Sequence, residues 1–349
     1  MSAIDSANKL IDDFFMKTVT LDAPTSPFNI RTTAGKVIAY LAKVTKMLLV
    51  WLMQPKNWLK KRTWIGAFIL LRAAYVTMNE YGKNPFKKSL NKDHVFLTGA
   101  GSGLGRLMAV RLGKLGCKLS LSDINMAGLE ETRALCKKEG VPEERIAIFV
   151  CDVSKKESIL KGAQSARAAH GLVTLLINNA GIVSGKSTLE LTDAMIEKTM
   201  QVNTIAHLHT IREFLPDMIQ AKRGHIVTIA SMAGLAGVPG LSDYCGSKYG
   251  AIGIDEAVRT ELIQKGLSKF IKTSCICPYL VSTGLFDGAK KSFPFSILSP
   301  VETVDRIIAA IQQEEPLVVI PWRGNMVFLA KMLPVGFQDN FSRVIGLHN

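Results

Sequence analysis

From His94 onward, short apolar runs alternate with longer stretches whose apolar residues recur at helical spacing. The runs at 94–98, 118–122, 146–151, 173–177, 225–230, 272–277 and 317–320 read as strands. The stretches 104–116, 125–139, 154–170, 204–220 and 245–265 read as helices. Strand-helix alternation of this kind predicts a parallel sheet covered on both faces. The chain has no internal repeat and no low-complexity tract.

The first ninety residues follow another pattern. Asp5, Asp12 and Asp13 stand where a secretory signal needs a basic start and an apolar core. Ile4, Ala7, Ile11 and Phe14 fit a short amphipathic helix, and a poorly ordered tail fits as well. Two apolar runs, 37–53 and 63–78, flank a basic turn containing Pro55, Lys60, Lys61 and Arg62. Neither reaches the roughly 20 apolar residues of a membrane-spanning helix. Trp51, Trp58 and Trp64 gather near the turn, where interfacial aromatics sit. The pair predicts a monotopic hairpin lying in a membrane surface, and a soluble helical hairpin is the competing reading. Pro85 and the polar stretch Lys87–Lys92 mark a boundary. The expected division is an extension over 1–90 with a hairpin at about 37–78, a catalytic domain over 91–322, and an amphipathic segment over 323–349.

Composition sharpens this picture. The 349 residues carry a formal charge of +14, of which +9 lies in residues 1–90. Excess charge among apolar segments suits an anionic lipid surface and argues against a nucleic-acid partner. Six scattered cysteines form no CxxC pair or disulfide framework, which fits a reduced, cytosol-facing compartment. Cys275 and Cys277 should face the same side of one strand. The six histidines give no metal pattern, and His207 and His209 do not converge on one helix face.

Candidate chemistry begins where the first strand ends. Thr98, Gly99, Gly101, Ser102, Gly103, Leu104 and Gly105 form a glycine-rich turn opening a helix. Such a turn lets backbone and helix N-terminus approach a pyrophosphate. Asp123 closes the second strand, where a carboxylate binds ribose hydroxyls and repels a 2′-phosphate. That favours NAD(H) over NADP(H), although Arg106 after the glycines leaves dual use open, and Asp123 also suits a helix cap. Asp152 and Val153 end the third strand within reach of an adenine, and Asn179, Ala180 and Gly181 end the fourth. Asn203 lies early in the next long helix, suited to a bound water or a helix-kinking contact. Tyr244 and Lys248 stand one helical turn apart, so the ammonium should lower the phenol's pKa and make it a general acid/base.

In order and spacing, the turn Thr98–Gly105 with Asp152, Asn178–Gly181, Asn203, Ser231, Tyr244 and Lys248 resembles the short-chain dehydrogenase/reductase family. The match runs from about His94 to Pro321. The wording around Leu121–Asn125, His225–Thr228, Asp243–Lys248 and Cys277–Gly284, together with Val344–Gly346, resembles the membrane- and lipid-droplet branch of retinol and 17β-hydroxysteroid dehydrogenases. The resemblance implies a Rossmann-type doubly wound sheet of about seven strands. It implies that Tyr244 exchanges a proton with the substrate while hydride passes to or from the nicotinamide. Lys248 would bind the nicotinamide ribose, Ser231 the substrate oxygen, and Asn203 a relay water. Thr283 would contact the carboxamide, with Pro278 and Val281 beside the cofactor. Tyr279 replaces a glycine more usual in the family, and the 1–90 extension exceeds the family's short anchor.

Residues 284–300 include Phe286, Phe293, Phe295, Ile297 and Leu298, an apolar cover suited to a lipophilic alcohol or ketone. The apolar stretch from Met326 to Leu333, with Lys331, suits membrane contact or a homodimer interface. The expected protein is an NAD-dependent oxidoreductase for retinoids, steroids or long-chain alcohols. It is placed on the cytosolic face of the endoplasmic reticulum or on lipid droplets. The rival readings are an NADP(H)-dependent carbonyl reductase of the same fold, and a nucleotide-binding droplet scaffold with little turnover.

Overall fold

The computed structural model describes residues 87–285, 296–336 and 338–339. The predicted hairpin at 37–78 and the three phenylalanines of the predicted cover lie outside the described residues.

Seven parallel strands form one sheet in the order β3-β2-β1-β4-β5-β6-β7. They are β1 (His94–Thr98), β2 (Lys118–Asp123), β3 (Ile146–Val150), β4 (Leu175–Asn178), β5 (Gly224–Ile229), β6 (Ile271–Pro278) and β7 (Leu317–Ile320). The helices are α1 (Gly103–Lys114), α2 (Met126–Lys138), α3 (Lys156–His170), α4 (Asp193–Met200), α5 (Ala206–Gln220), α6 (Ser242–Gln264), α7 (Pro300–Gln313) and α8 (Met326–Ala330). The seven predicted strands are all present, β1 and β7 with the predicted ends and the others with ends displaced by up to two residues. Helices α4 and α7 were not among the predicted stretches. Pro300 sits in the first turn of α7, where its missing N–H costs nothing.

Side chains alternate across each strand and build two cores. Val95, Leu97, Leu175, Ile177, Val227 and Ile229 pack under α1, α2 and α7. Phe96, Leu176 and Ile226 pack under α3, α5 and α6, with the Phe96 and Phe214 rings 4.6 Å apart. The continuous apolar runs of the sequence follow from burial on both faces.

Strand order reverses between β1 and β4, which opens a crevice at their carboxyl ends. The turns after β1 and β4 meet there. The helical segment 193–220 also passes there, through a wide π turn at Gln201–Ile205 between α4 and α5. Asn203 therefore stands in the middle of a helical segment that begins at Asp193, ten residues earlier than its sequence position suggested. Among the described residues, no helix is long and apolar enough to cross a membrane.

Candidate active site

The crevice is held open by backbone. Gly99 has φ +67°, and a Cβ there would come within 2.9 Å of the Ala180 Cα. A Cβ on Gly105 would strike the Gly99 carbonyl, so the first turn of α1 lies directly on the glycine-rich loop. Ser102 caps α1 without a side-chain hydrogen bond, and Leu104 packs against the first core. Thr98 clips the two turns together: its Oγ1 accepts from the backbone N–H groups of Asn179 and Ala180, each at 3.0 Å. The Asn179 amide returns the contact by donating to the carbonyls of Thr98 and Gly99 at 2.9 and 3.1 Å.

Asp123 faces this loop. Its Oδ2 accepts from the Gly101 N–H at 2.9 Å and its Oδ1 from the Asn125 N–H at 3.0 Å. The helix cap is not Asp123 but Asn125, whose side chain accepts from Gly128 N–H at 3.2 Å. Each carboxylate oxygen retains a second acceptor position for a ribose hydroxyl. Arg106, left open as a phosphate ligand, is already engaged. It donates to the Gly101 carbonyl at 2.5 Å and pairs with Glu131 at 2.6 Å, tying the loop to α2. Asp152 caps its own turn by accepting from the Ser154 hydroxyl at 2.6 Å and the Ser154 N–H at 3.0 Å. Burial opposes its charge, yet Ser154 and the nearby Lys198 hold the carboxyl below its ordinary value. Val153 is buried beside Ala180 and Ile182.

The second half of the site is built on the π turn. Asn203 holds both sides of Ile182: its Oδ1 accepts from the Ile182 N–H and its Nδ2 donates to the Ile182 carbonyl, each at 2.9 Å. Nδ2 also donates to the Ser247 hydroxyl at 3.0 Å. Asn203 thus locks the turn after β4 to α6. Gly181 fits between them, because a Cβ there would lie 3.5 Å from both Asn203 Oδ1 and Lys248 Nζ. Ser247 was not singled out from sequence. The available signal was a serine inside the Tyr244–Lys248 interval.

Ser231, Tyr244 and Lys248 converge at the end of β5. Ser231 lies after the strand, where its Oγ accepts from Ala233 N–H at 3.1 Å and donates weakly to the Pro278 carbonyl at 3.5 Å. Tyr244 and Lys248 are 4% and 3% exposed, on the face of α6 turned to the sheet. The Lys248 ammonium lies 5.7 Å from the Tyr244 ring centre and donates to the Ile229 carbonyl at 2.9 Å. Burial pushes the Tyr244 phenol up to about 12, against a hydrogen bond with Ser231 that lowers it. The sequence led to the opposite expectation, a phenol lowered by Lys248. Desolvation of an enclosed phenol outweighs a cation directed at a carbonyl. Burial also lowers Lys248 to about 8, partly offset by Cys275 and Cys277 on β6. Val281 is buried, and the Thr283 side chain lies 3.4 Å from a Cβ built on Gly103, over the glycine-rich loop. Leu298 pairs with Val281 and donates its N–H to the Leu280 carbonyl at 2.8 Å, so the far end of the predicted cover returns to this edge.

A backbone cradle at a helix N-terminus, a carboxylate at the end of the second strand and a buried Ser-Tyr-Lys group all stand at the carboxyl ends of the strands. The cradle, which added side chains would fill, fits the diphosphate of a dinucleotide.

Comparison with known proteins agrees with this geometry. Residues 93–292 match the family model described as short chain dehydrogenase. The chain is similar to human epidermal retinol dehydrogenase 2, with 43% identity over 71% of this chain and 81% of that protein. It is also similar to human estradiol 17-beta-dehydrogenase 11, with 39% identity over 75% of this chain and 86% of that protein. Among solved structures, a Burkholderia phymatum short chain dehydrogenase/reductase in complex with NAD superposes with a TM-score of 0.61 and 26% identity. That alignment covers 70% of this chain and 92% of the other. A crevice at the strand reversal and a family match through the whole sheet but its last strand lead to one conclusion: the chain belongs to the short-chain dehydrogenase/reductase family of oxidoreductases.

Proposed function

We propose that this chain is an NAD(H)-dependent dehydrogenase for lipophilic alcohols, with retinoids, steroids and long-chain alcohols as the substrate class. The observation that carries the reading is the buried grouping of Ser231, Tyr244 and Lys248 beside the glycine cradle. Bound NAD would supply the hydride acceptor. Tyr244 takes the proton of the substrate hydroxyl as the alcohol carbon gives up its hydride, and returns it in the reverse direction. Ser231 donates to the substrate oxygen and steadies its developing charge. Lys248 supports the phenolate and holds the nicotinamide ribose. Asn203 keeps the turn after β4 in register with α6 and supports the relay to Lys248. Asp123 binds the adenosine ribose, while Asp152 and Val153 border the adenine. Pro278, Val281 and Thr283 flank the nicotinamide side.

We also place the enzyme on a lipid surface. The charge of residues 1–90 and the three tryptophans near their basic turn support this, as does α8 with its following turn. Met326, Leu329, Met332 and Val335 are 60%, 58%, 81% and 68% exposed there, with Lys331 among them. An apolar stretch carrying a cation fits an anionic lipid interface.

The test is a screen of the full chain reconstituted with lipid vesicles, using retinol, a hydroxysteroid and a long-chain alcohol with NAD and with NADP. Turnover with NAD exceeding that with NADP is expected. Tight NAD binding without turnover would replace the enzyme with a nucleotide-binding scaffold, and a preference for NADP would end the ribose argument.

A further inference from the structure

Asn203, His207 and Thr210 stand four and three residues apart and form one stripe where the π turn passes into α5. The two outer members are satisfied. Asn203 donates to Ser247, and the Thr210 hydroxyl donates to the Asn178 Oδ1 at 2.7 Å. The middle member is not. His207 is 2% exposed, and neither ring nitrogen has a hydrogen-bond partner among the described residues. The Asn178 amide nitrogen shares that condition. Asn178 lies on the sheet in register with Thr228 of β5, which is in register with Cys275 of β6.

A neutral imidazole offers one donor and one acceptor, and leaving both unmet in a protein interior is costly. Buried groups in this condition hold internal water, which makes about three hydrogen bonds. The nearby group with donors to share is Lys248. Its ammonium has three, and one goes to Ile229. The same ammonium and the Asn203 amide oxygen flank Gly181, each 3.5 Å from where a Cβ there would lie, and His207 follows Asn203 by one helical turn.

We propose that His207 is a positioning residue for Lys248: its neutral imidazole, with the Asn178 amide, anchors an internal water that accepts a hydrogen bond from the lysine ammonium. The inference rests on the enzymatic reading of Lys248 given above. Burial, then the charge of Lys248, push His207 down to about 3, so the ring stays neutral and repels no cation. The other ionisable groups around Lys248 are Tyr244 on α6 and Cys275 and Cys277 on β6, with Asp255 on α6 acting on Cys275 behind them. The anchored water offsets part of the desolvation of Lys248 and keeps it charged at neutral pH, where it supports Tyr244.

The readout is the pH dependence of NADH binding, followed by nucleotide fluorescence, which needs no turnover. In the parent, affinity breaks at the Lys248 titration, and Lys248→Met removes the break. In His207→Leu the break should move down by about one pH unit, the size of one hydrogen bond to a charged group. His207→Gln keeps a donor and an acceptor and should restore it. Circular dichroism and thermal unfolding check that each variant folds, and His207→Met carries the same comparison if the leucine variant does not. A His207→Leu break coincident with the parent's, or a glutamine variant that behaves as leucine does, overturns the proposal. A parent that binds NADH without turnover would instead overturn the enzymatic reading and leave this comparison intact.

Discussion

Tyr244 illustrates how much a single residue's surroundings decide. A tyrosine four residues before a lysine promised a lowered pKa, but the phenol is enclosed and its pKa is raised to about 12. On the proposed mechanism, Tyr244→Phe should reduce turnover by at least about a thousandfold, toward the upper end of what general acid/base groups contribute. NADH affinity should stay within a factor of two or three, read by fluorescence titration. Unchanged turnover would sink the proton-transfer assignment. Asp255 makes a second case. It is buried on α6, hydrogen-bonded to the Thr228 hydroxyl at 3.1 Å, and its pKa is raised by burial from 3.8 to about 7. A raised acid binds its proton more tightly in the folded chain than in the unfolded one. Its contribution is therefore fully present below about pH 4 and lost as pH rises through about 7. Asp255→Asn should flatten the decline in thermal stability over that window, measured as melting temperature against pH. A parallel decline in the variant would assign the effect elsewhere. Residue types and spacings of the site were legible in the chain, while these proton affinities were not, because they depend on desolvation by neighbours distant in sequence.

At the scale of elements, the loop between β1 and α1 is a backbone device with little tolerance. Gly105→Ala should drive the new methyl into the Gly99 carbonyl, lower the melting temperature and weaken NADH binding at least tenfold. Wild-type affinity in that variant would show that the loop can shift without cost. Asp123→Ala should erode the preference for NAD over NADP, measured as the ratio of kcat/KM values. It should also loosen the loop, since the Gly101 and Asn125 N–H groups lose their acceptor. Strand positions were readable because apolar runs buried on both faces have little else to become. Helix α4 was not, because it is only eight residues long and Thr199 alone among them is buried. The π turn was also hidden. Asn203 widens it through hydrogen bonds to Ile182, some twenty residues earlier in the chain, a partnership no local pattern encodes.

For the whole molecule, sheet order matters most. The reversal between β1 and β4 gathers turns separated by about eighty residues, and Thr98 fastens them. The second core depends on Phe214, fully buried against Phe96. Phe214→Ala should cost about 3–5 kcal/mol in denaturant unfolding, and a loss under 1 kcal/mol would mean that the core refills the space. The proposed association with a lipid surface belongs to this scale too. Deletion of residues 31–78 should release the protein from anionic vesicles in a flotation assay. Retention would move the lipid contact to the exposed stretch from Met326 to Val335.

The chain by itself determined the parallel α/β class, the glycine turn, Asp123 and the Tyr244–Lys248 spacing, because these are local patterns of burial, turn chemistry and helical spacing; Ser231 joined them only through the resemblance to a family. The tertiary structure alone decided which groups remain available to a ligand. It tied Arg106 to Glu131, turned Asp152 onto its own loop, aimed Lys248 at a carbonyl and left His207 buried between satisfied neighbours. The reason is physical: hydrogen-bond partners and desolvation are set by residues brought together across the fold, and neither is written in the spacing of a sequence.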